Sequence, residues 1–238
     1  MGLQNILRVI RRYDSPTLIS YSLSELSRVL YRNPIRHSYS QDYEDNLLDY
    51  LLGYKPEGFY LDIGAYDPIR MSNTKRFYDR GWTGLNIEPS PTRFSLFPLL
   101  RPHDINLNVG LSSKEGELTF YDFDPPTLST FSSEHANSYQ NQGFTLISTN
   151  KVKVKVLSEI LNSHPEIPEI DFVTIDTEGL DLEILTGNDW KRYRPTLICI
   201  EGNQPGFEQQ LEQDAFFKKH KYELVAQTKH NSIYRNKR

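Results

Sequence analysis

Cysteine is almost absent from this 238-residue chain. The one copy, Cys199, sits in the apolar run TLICI, so an internal disulfide is excluded and a buried, inert thiol in a reducing compartment is expected. Long apolar runs are missing too: nothing approaches the roughly 20 residues of a membrane span. The opening MGLQNILRVIRRYDS has interrupted apolar positions followed by arginines, which is not the pattern of a secretory signal, and Gly2 lacks the downstream serine of a myristoylation signal. A cytoplasmic location is the expectation. There is no excess of positive charge: 27 Lys and Arg face 31 Asp and Glu, net −4, so no footprint for a nucleic acid is expected. Repeats and low-complexity linkers are absent as well, which leaves one domain with a small appendage. What is present is an ordinary globular composition, 37% hydrophobic and 24% charged, with 15 Tyr and 12 Phe. Tyrosine suits the wall of a polar organic pocket, although most of these belong to core or surface.

Residues 1–36 read as two short helices, with Leu3, Ile6, Leu7 and Ile10 and then Leu18, Leu23, Leu26, Val29 and Leu30 at helical spacing. They suit a layer over a sheet or a homodimer contact. SYSQDYEDNLLDYLLGY predicts a third helix capped by Ser40. Then GFYLDIGAY gives a buried strand and tight turn, SNTKRFYDRGW a helix closed by Gly81, and TGLNIEPSP a strand stopped by prolines. DINLNVGLSS predicts one further strand. GELTFYDFDPPTLSTF and NKVKVKV alternate in strand fashion around the polar SSEHANSYQNQGF, which predicts an antiparallel insertion or flap at about residues 116–156. The three lysines of NKVKVKV read as its solvated face. IDFVTIDTEGLDLEIL and RPTLICIEGN return to buried strands ended by acids, and a terminal hairpin closes the chain. Strands alternating with helices predict an α/β, doubly wound, mainly parallel sheet with an antiparallel C-terminal hairpin.

In such sheets the ligand sits beyond the carboxyl ends of the strands, which singles out Asp62, Gly64, Glu88, Asn108, Asp176, Glu178 and Glu201. A dinucleotide needs G-x-G-x-x-G so that amides approach a pyrophosphate. This turn reads Gly64-Ala65-Tyr66-Asp67-Pro68: the later glycines are missing, Pro68 removes an amide, and Asp62 and Asp67 repel phosphate. S-adenosylmethionine fits better. It has no phosphate, its ribose diol suits a carboxylate at Glu88, and its sulfonium and ammonium are welcome among acids. Ser72, Asn73 and Thr74 are candidate donors to its carboxylate, and Asn108 and Val109 are placed to hold adenine.

The segments SQDYEDNLL, YLDIGAYDP, SNTKRFYDRGWTGLNIEP, NVGLSS, LSTFSSEHA, IDFVTIDTEGLDLEIL, RPTLICIEGN and NSIYR, in this order, resemble the FkbM-type methyltransferases. The resemblance implies a class I, Rossmann-like S-adenosylmethionine-dependent fold over residues 39–238, after an N-terminal helical extension at 1–38. It implies O-methylation, usually of a hydroxyl on a sugar or natural product. It matches Asp62 and Gly64 to the cofactor turn, Glu88 to the ribose acid, Gln41, Glu44 and Asp45 to the segment entering the cofactor site, and Asp176 and Glu178 to the family's D-x-E-G segment. Thr174 and Asp181 depart from the Lys and Glu common at those positions.

Transfer to a hydroxyl requires alignment and removal of its proton. Asp176 is the first candidate base, Glu178 the second and His135 the third; His103, His164, His220 and His230 read as surface residues. Asp176, Glu178 and Glu201 are oxygen ligands that suit Mg²⁺ or Ca²⁺. Against a metal stands a reading in which Glu201 faces the substrate and Glu178 satisfies local donors. Tyr121, Tyr139, Phe131 and Trp82 are candidates for stacking on a sugar, with Trp82 better explained as packing between helix and sheet. The acceptor expected is a sugar hydroxyl in a glycan, nucleotide-sugar or glycosylated metabolite. Alternatives are a non-sugar hydroxyl, a phosphate-linked group, or an inactive module that only binds the cofactor.

Overall fold

The computed structural model describes residues 38–202 and 208–237; the two helices expected before residue 37 lie outside the described residues. In chain order the strands are β1 (Phe59–Ile63), β2 (Thr83–Ile87), β3 (Ile105–Leu107), β4 (Gly110–Leu111), β5 (Gly116–Asp124), β6 (Thr145–Lys155), β7 (Phe172–Ile175), β8 (Leu197–Glu201), β9 (Tyr222–Gln227) and β10 (Asn231–Asn236). The helices are α1 (Glu44–Leu51), α2 (Lys75–Arg80), α3 (Pro91–Phe94), α4 (Phe97–Leu100), α5 (Ser133–Asn141), α6 (Leu157–Ser163), α7 (Asp181–Thr186) and α8 (Glu208–Lys219).

Seven strands form the main sheet in the order β3-β2-β1-β7-β8-β10-β9. The first five are parallel; β10 runs antiparallel to β8, and β9 closes the edge. The chain winds outward from β1 through β2 to β3, then returns to place β7 on the other side of β1. The order therefore reverses between β1 and β7, which opens a crevice above their carboxyl ends. This is the doubly wound α/β architecture expected from the alternation of strands and helices.

Both faces of the sheet are covered, so its central strands are apolar throughout. Side chains alternate between faces. Phe59, Leu61, Ile63, Leu85, Ile87, Val173 and Ile175 pack on one side with Leu157 and Ile160 of α6 and Phe217 of α8. Tyr60, Phe172, Leu197 and Cys199 pack on the other with Leu48 of α1 and Phe77 of α2. Trp82 is buried there, between helix and sheet as expected, and Cys199 is a buried free thiol. One register on this second face is polar: Asn106, Asn86, Asp62 and Thr174 lie side by side across β3, β2, β1 and β7, next to Cys199 of β8.

The insertion is present. β5 and β6 form an antiparallel pair, and β4 joins β6 in a separate three-stranded sheet. Lys151, Lys153 and Lys155 face solvent, and Val152 and Val154 are buried between them. Two local expectations change. DINLNVGLSS is not one strand: β3 ends at Leu107, and β4 leaves for the second sheet. Ser40 is not the cap residue of α1; Tyr43 is, with φ 66°, although the Ser40 hydroxyl accepts the Asp45 N–H at 3.2 Å. Among the described residues no helix is long and apolar enough to cross a membrane.

Candidate active site

A cavity of about 400 Å³ lies above the carboxyl ends of β1, β2, β7 and β8, roofed by the insertion. The turn after β1 shapes its floor. Gly64 has φ +73°, and a Cβ there would stand 2.0 Å from the Asp176 carbonyl oxygen, so glycine is needed both for the left-handed backbone and for the approach to β7. The amides of this turn are already engaged. Gly64 and Ala65 N–H both donate to Ile87 O (3.0 and 3.1 Å), Tyr66 N–H to Glu88 Oε2 (2.8 Å) and Asp67 N–H to Ala65 O (2.6 Å). A phosphate would find no cradle, as the missing glycines imply.

The walls carry acids. Asp62, Glu88, Asp176, Glu178 and Glu201 all line the cavity, and Glu44 joins them from α1. Among the described residues, Arg93 is the one Arg or Lys in the lining. Burial pushes the Glu88 carboxyl up to about 7 against the pull of Arg93 and of the Ser90 and Tyr66 amides. Burial likewise takes Asp62 to about 6, opposed by the Thr74 hydroxyl and Arg101. Thr74 Oγ1 donates to Asp62 Oδ2 at 2.7 Å.

Asp176, Glu178 and Glu201 form a second acid group, with one oxygen of each within 4.8 Å of the others. Burial and then the neighbouring Asp176 and Asp181 charges raise Glu178 to about 8; burial and then Glu178 and Asp181 raise Glu201 to about 8. Asp176 is pushed well up by burial and by Glu201, to which its carboxyl donates a hydrogen bond. Its side chain is open to the cavity, yet protein surrounds it on the remaining sides. The crowding by neighbouring acids raises Asp176 even where cavity water reaches the group. Glu178 has φ 52°, an uncommon left-handed backbone for a non-glycine residue. Its carbonyl is held by Thr130 Oγ1 and by His135 Nδ1, each at 3.2 Å; a carbonyl only accepts, so Nδ1 is the protonated nitrogen.

Gln41, Gly64, Ser72, Asn73 and Val109 line the cavity as expected. Ser72 and Asn73 are partly occupied: Ser72 Oγ accepts Lys75 N–H (3.1 Å) and Arg101 Nη2 (3.1 Å), and Asn73 Nδ2 donates to Thr174 Oγ1 (2.8 Å). Six expected residues do not line it: Thr74, whose hydroxyl is given to Asp62, Tyr139, whose ring packs on Phe123, His135 and Phe144, and the four that follow. Asp45 is fully buried and accepts from the Ser38 and Ser40 hydroxyls and from the Tyr39 and Asn46 amides, so it folds the segment leading into α1. Asn108 donates to the Glu88 and Pro89 carbonyls and anchors the end of β2. Tyr121 exchanges backbone bonds with Thr130 inside the insertion. His135 supports the Glu178–Gly179 turn through its Nδ1–H and is not among the residues that line the cavity. In the other direction, His230 is no bystander: it lines the cavity and hydrogen-bonds Asp42 Oδ2 at 2.5 Å. Tyr66, Arg93, Phe120 and Phe131 were not placed at the cofactor side by the sequence, and no local motif marks them.

The residues suit S-adenosylmethionine. Carboxylates for a diol and for cationic groups stand on the β1–β2 side, the turn offers nothing to phosphate, and an apolar wall from Val109, Leu111 and Phe131 suits a purine. The three-carboxylate group on the β7–β8 side is chemically able to hold a proton or a divalent cation.

Comparison with functionally curated proteins gives no match. Among solved structures, a precorrin-6y C5,15-methyltransferase from Geobacter metallireducens is similar at 13% identity, covering 82% of this chain and 87% of its own, with a TM-score of 0.41. A putative O-methyltransferase from Klebsiella pneumoniae aligns at 13% identity over 97% and 95%, TM-score 0.42. An O-methyltransferase from Bacillus cereus, solved in complex with SAH, aligns at 13% over 96% and 94%, TM-score 0.40. The model of the methyltransferase FkbM domain matches residues 62–224, the stretch that runs from the β1 carboxylate to the edge strand β9 and contains every acid of the cavity except Glu44. With the family model covering most of its length, this chain belongs to the FkbM methyltransferase family.

Proposed function

We propose that the chain transfers a methyl group from S-adenosylmethionine to a hydroxyl oxygen of a sugar, in a glycan, a nucleotide-sugar or a glycosylated metabolite. The observation that carries this is the convergence of Asp176, Glu178 and Glu201 across the cavity from Asp62 and Glu88. Bound S-adenosylmethionine supplies a methyl electrophile on a sulfonium. Asp62 and Glu88 bind the donor on one side. On the other, Asp176 and Glu201 are both pushed upward by burial and by neighbouring acids, and Glu178, raised to about 8, is ionised in a minor fraction near neutral pH. A base whose pKa lies near the working pH takes up a proton most effectively. The hydroxyl proton passes to this carboxylate group as the oxygen–methyl bond forms and the sulfur–methyl bond breaks. Carboxylates arrayed at this spacing also accept bonds from vicinal hydroxyls, which favours a polyol acceptor.

The same carboxylates offer three oxygen ligands close together, the donor type that a divalent cation takes, and that is the reason to test for one. The deciding experiments run in sequence. Thermal stabilisation by S-adenosylhomocysteine and not by NAD supports the donor site; no shift with either leaves only a module without a donor. Labelled S-adenosylmethionine with a panel of nucleotide-sugars and glycans then identifies the acceptor. Turnover unaffected by EDTA supports proton transfer to protein carboxylates; loss that Mg²⁺ restores replaces it with a metal-held hydroxyl. Full turnover in both Asp176→Asn and Glu178→Gln would refute the assignment of the base.

A further inference from the structure

Among the described residues, Arg93 is the one Arg or Lys in a cavity lined by six carboxylates, and it is not spent on them alone. It lies in the short helix α3 that follows β2. Its Nη1 stands 3.8 Å from Glu88 Oε1. Its Nη2 donates to Asp122 Oδ1 (2.9 Å), to the Pro126 carbonyl (2.9 Å) and to Ser129 Oγ (2.6 Å), all in the insertion. The guanidinium lies over the Tyr66 ring at 5.3 Å, on the turn whose amide also holds Glu88. Ser129 in turn donates to Asp122 and accepts the Phe123 N–H, so this part of the insertion converges on the same guanidinium. The segment it holds, Pro126 to Ser129, lines the cavity. Within its side chain, then, Arg93 spans from the acid read as the ribose ligand to the wall the acceptor must pass.

The geometry points to Arg93 as a positioning residue that ties donor binding at Glu88 to the placement of the Pro126–Ser129 segment over the rest of the cavity. This rests on the donor reading given above. The contacts are unequal: the bonds to the insertion have hydrogen-bond length, and the approach to Glu88 does not. An arginine fork held by three insertion oxygens keeps its place only while the insertion is docked. Any ligand that engages Glu88 changes the charge facing Nη1 and so changes how firmly the segment is held. The charged groups facing Glu88 are Arg93 from α3 and Asp122 from β5; they act on it with opposite sign.

Hydrogen exchange of the full chain with S-adenosylhomocysteine as probe tests this, alongside calorimetry. In the native protein the ligand should slow exchange of amides at 127–131 by at least about tenfold, the factor that 1.4 kcal/mol of added holding gives. In Arg93→Met that response should vanish while the ligand still binds. Asp122→Asn, on the insertion and away from the donor, should also abolish it, and serves if Arg93→Met does not fold. The pH midpoint of ligand affinity should move up in Arg93→Met and down in Asp122→Asn, a split that a merely structural role does not produce. Retained ligand-dependent protection in either variant, or midpoints that move together, overturns the coupling. Binding with no change at 127–131 in the native protein overturns the coupling alone; absence of binding by calorimetry overturns the donor reading and the coupling with it.

Discussion

Replacing Gly64 with alanine tests the turn on which the cavity is built, and the chain supplies its own control. Gly53 and Gly64 have nearly the same backbone, φ +67° and +73°, but a Cβ on Gly53 meets nothing within 4 Å, whereas one on Gly64 falls 2.0 Å from Asp176 O and 3.0 Å from its carbonyl carbon. Gly53→Ala carries only the conformational penalty of a left-handed L-residue, about 1–2 kcal/mol. Gly64→Ala carries that and the cost of forcing β7 away, and overpacking of this kind costs about 1–3 kcal/mol. The expected totals are about 1–2 and about 2–5 kcal/mol, against a domain stability of about 5–15 kcal/mol. Urea denaturation of the two variants and the native protein measures both. The neighbour is backbone, which cannot swing aside as a side chain would, so any folded Gly64→Ala has Asp176 displaced. Turnover should then fall by about a hundredfold, the effect of a misplacement near 1 Å. If the two variants were destabilised equally to within about 0.5 kcal/mol, the spread seen for independent sites, the close approach of β1 and β7 would be refuted.

Glu88→Gln removes a charged acceptor, and bonds to charged groups contribute about 1.5–3 kcal/mol, so calorimetry should show S-adenosylhomocysteine binding weakened by roughly 10- to 150-fold; a loss under threefold contradicts the ribose assignment. Asp62 and Glu88 have folded pKa values of about 6 and about 7, above the ordinary carboxylate range, so the empty fold holds protons that the unfolded chain has released. Their contribution is complete at low pH and is lost as pH rises through about 6 to 7, at up to about 1.4 kcal/mol per pH unit for each proton. Ligand affinity should run the opposite way, rising over the same range; denaturation and calorimetry between pH 5 and 8 that trend together would show that these acids do not form the donor site. His135→Ala should keep the shape of the pH–rate profile while losing about 1 kcal/mol of stability for one hydrogen bond; loss of the low-pH limb, where a general base is protonated, would return His135 to the chemistry. Arg101, fully buried against Asp104, Tyr60 and Ser72, should cost about 3–5 kcal/mol as Arg101→Met, because Asp104 is left as an unpaired buried charge.

The acids at the strand ends were legible because a parallel sheet dictates where its carboxyl edge lies, and a short apolar run marks each strand. Asp62, Glu88, Asp176 and Glu201 meet in one cavity for that reason. Gly64 was legible because a tight turn demanded it. Asp45, Asn108 and His135 stand outside the cavity lining because a polar residue near it has a second occupation, holding backbone that would otherwise be unpaired. Arg93 and Arg101 were invisible for the opposite reason. A lone arginine in a polar stretch looks like a surface residue, and its partners lie about thirty residues away in sequence, fixed only by the tertiary fold. The N-terminal boundary of α1 was missed because Tyr43 adopts a left-handed backbone that nothing in its residue type advertises.

The polar row across the central strands has a consequence for how the sheet finds its alignment. Alternation of side chains detects a slip by one residue, which would turn Asp62 into the apolar layer beneath α6. It is blind to a slip by two, which returns every side chain to its proper face. The row removes that ambiguity. Shifted by two, Asp62 would face Gly84 or Glu88 in place of Asn86, and Thr174 would leave Asp62 for Tyr60 or Gly64. The row, two of whose members, Asp62 and Thr174, also line the cavity, thus acts as a ruler, marking the single offset at which neighbouring strands come to rest.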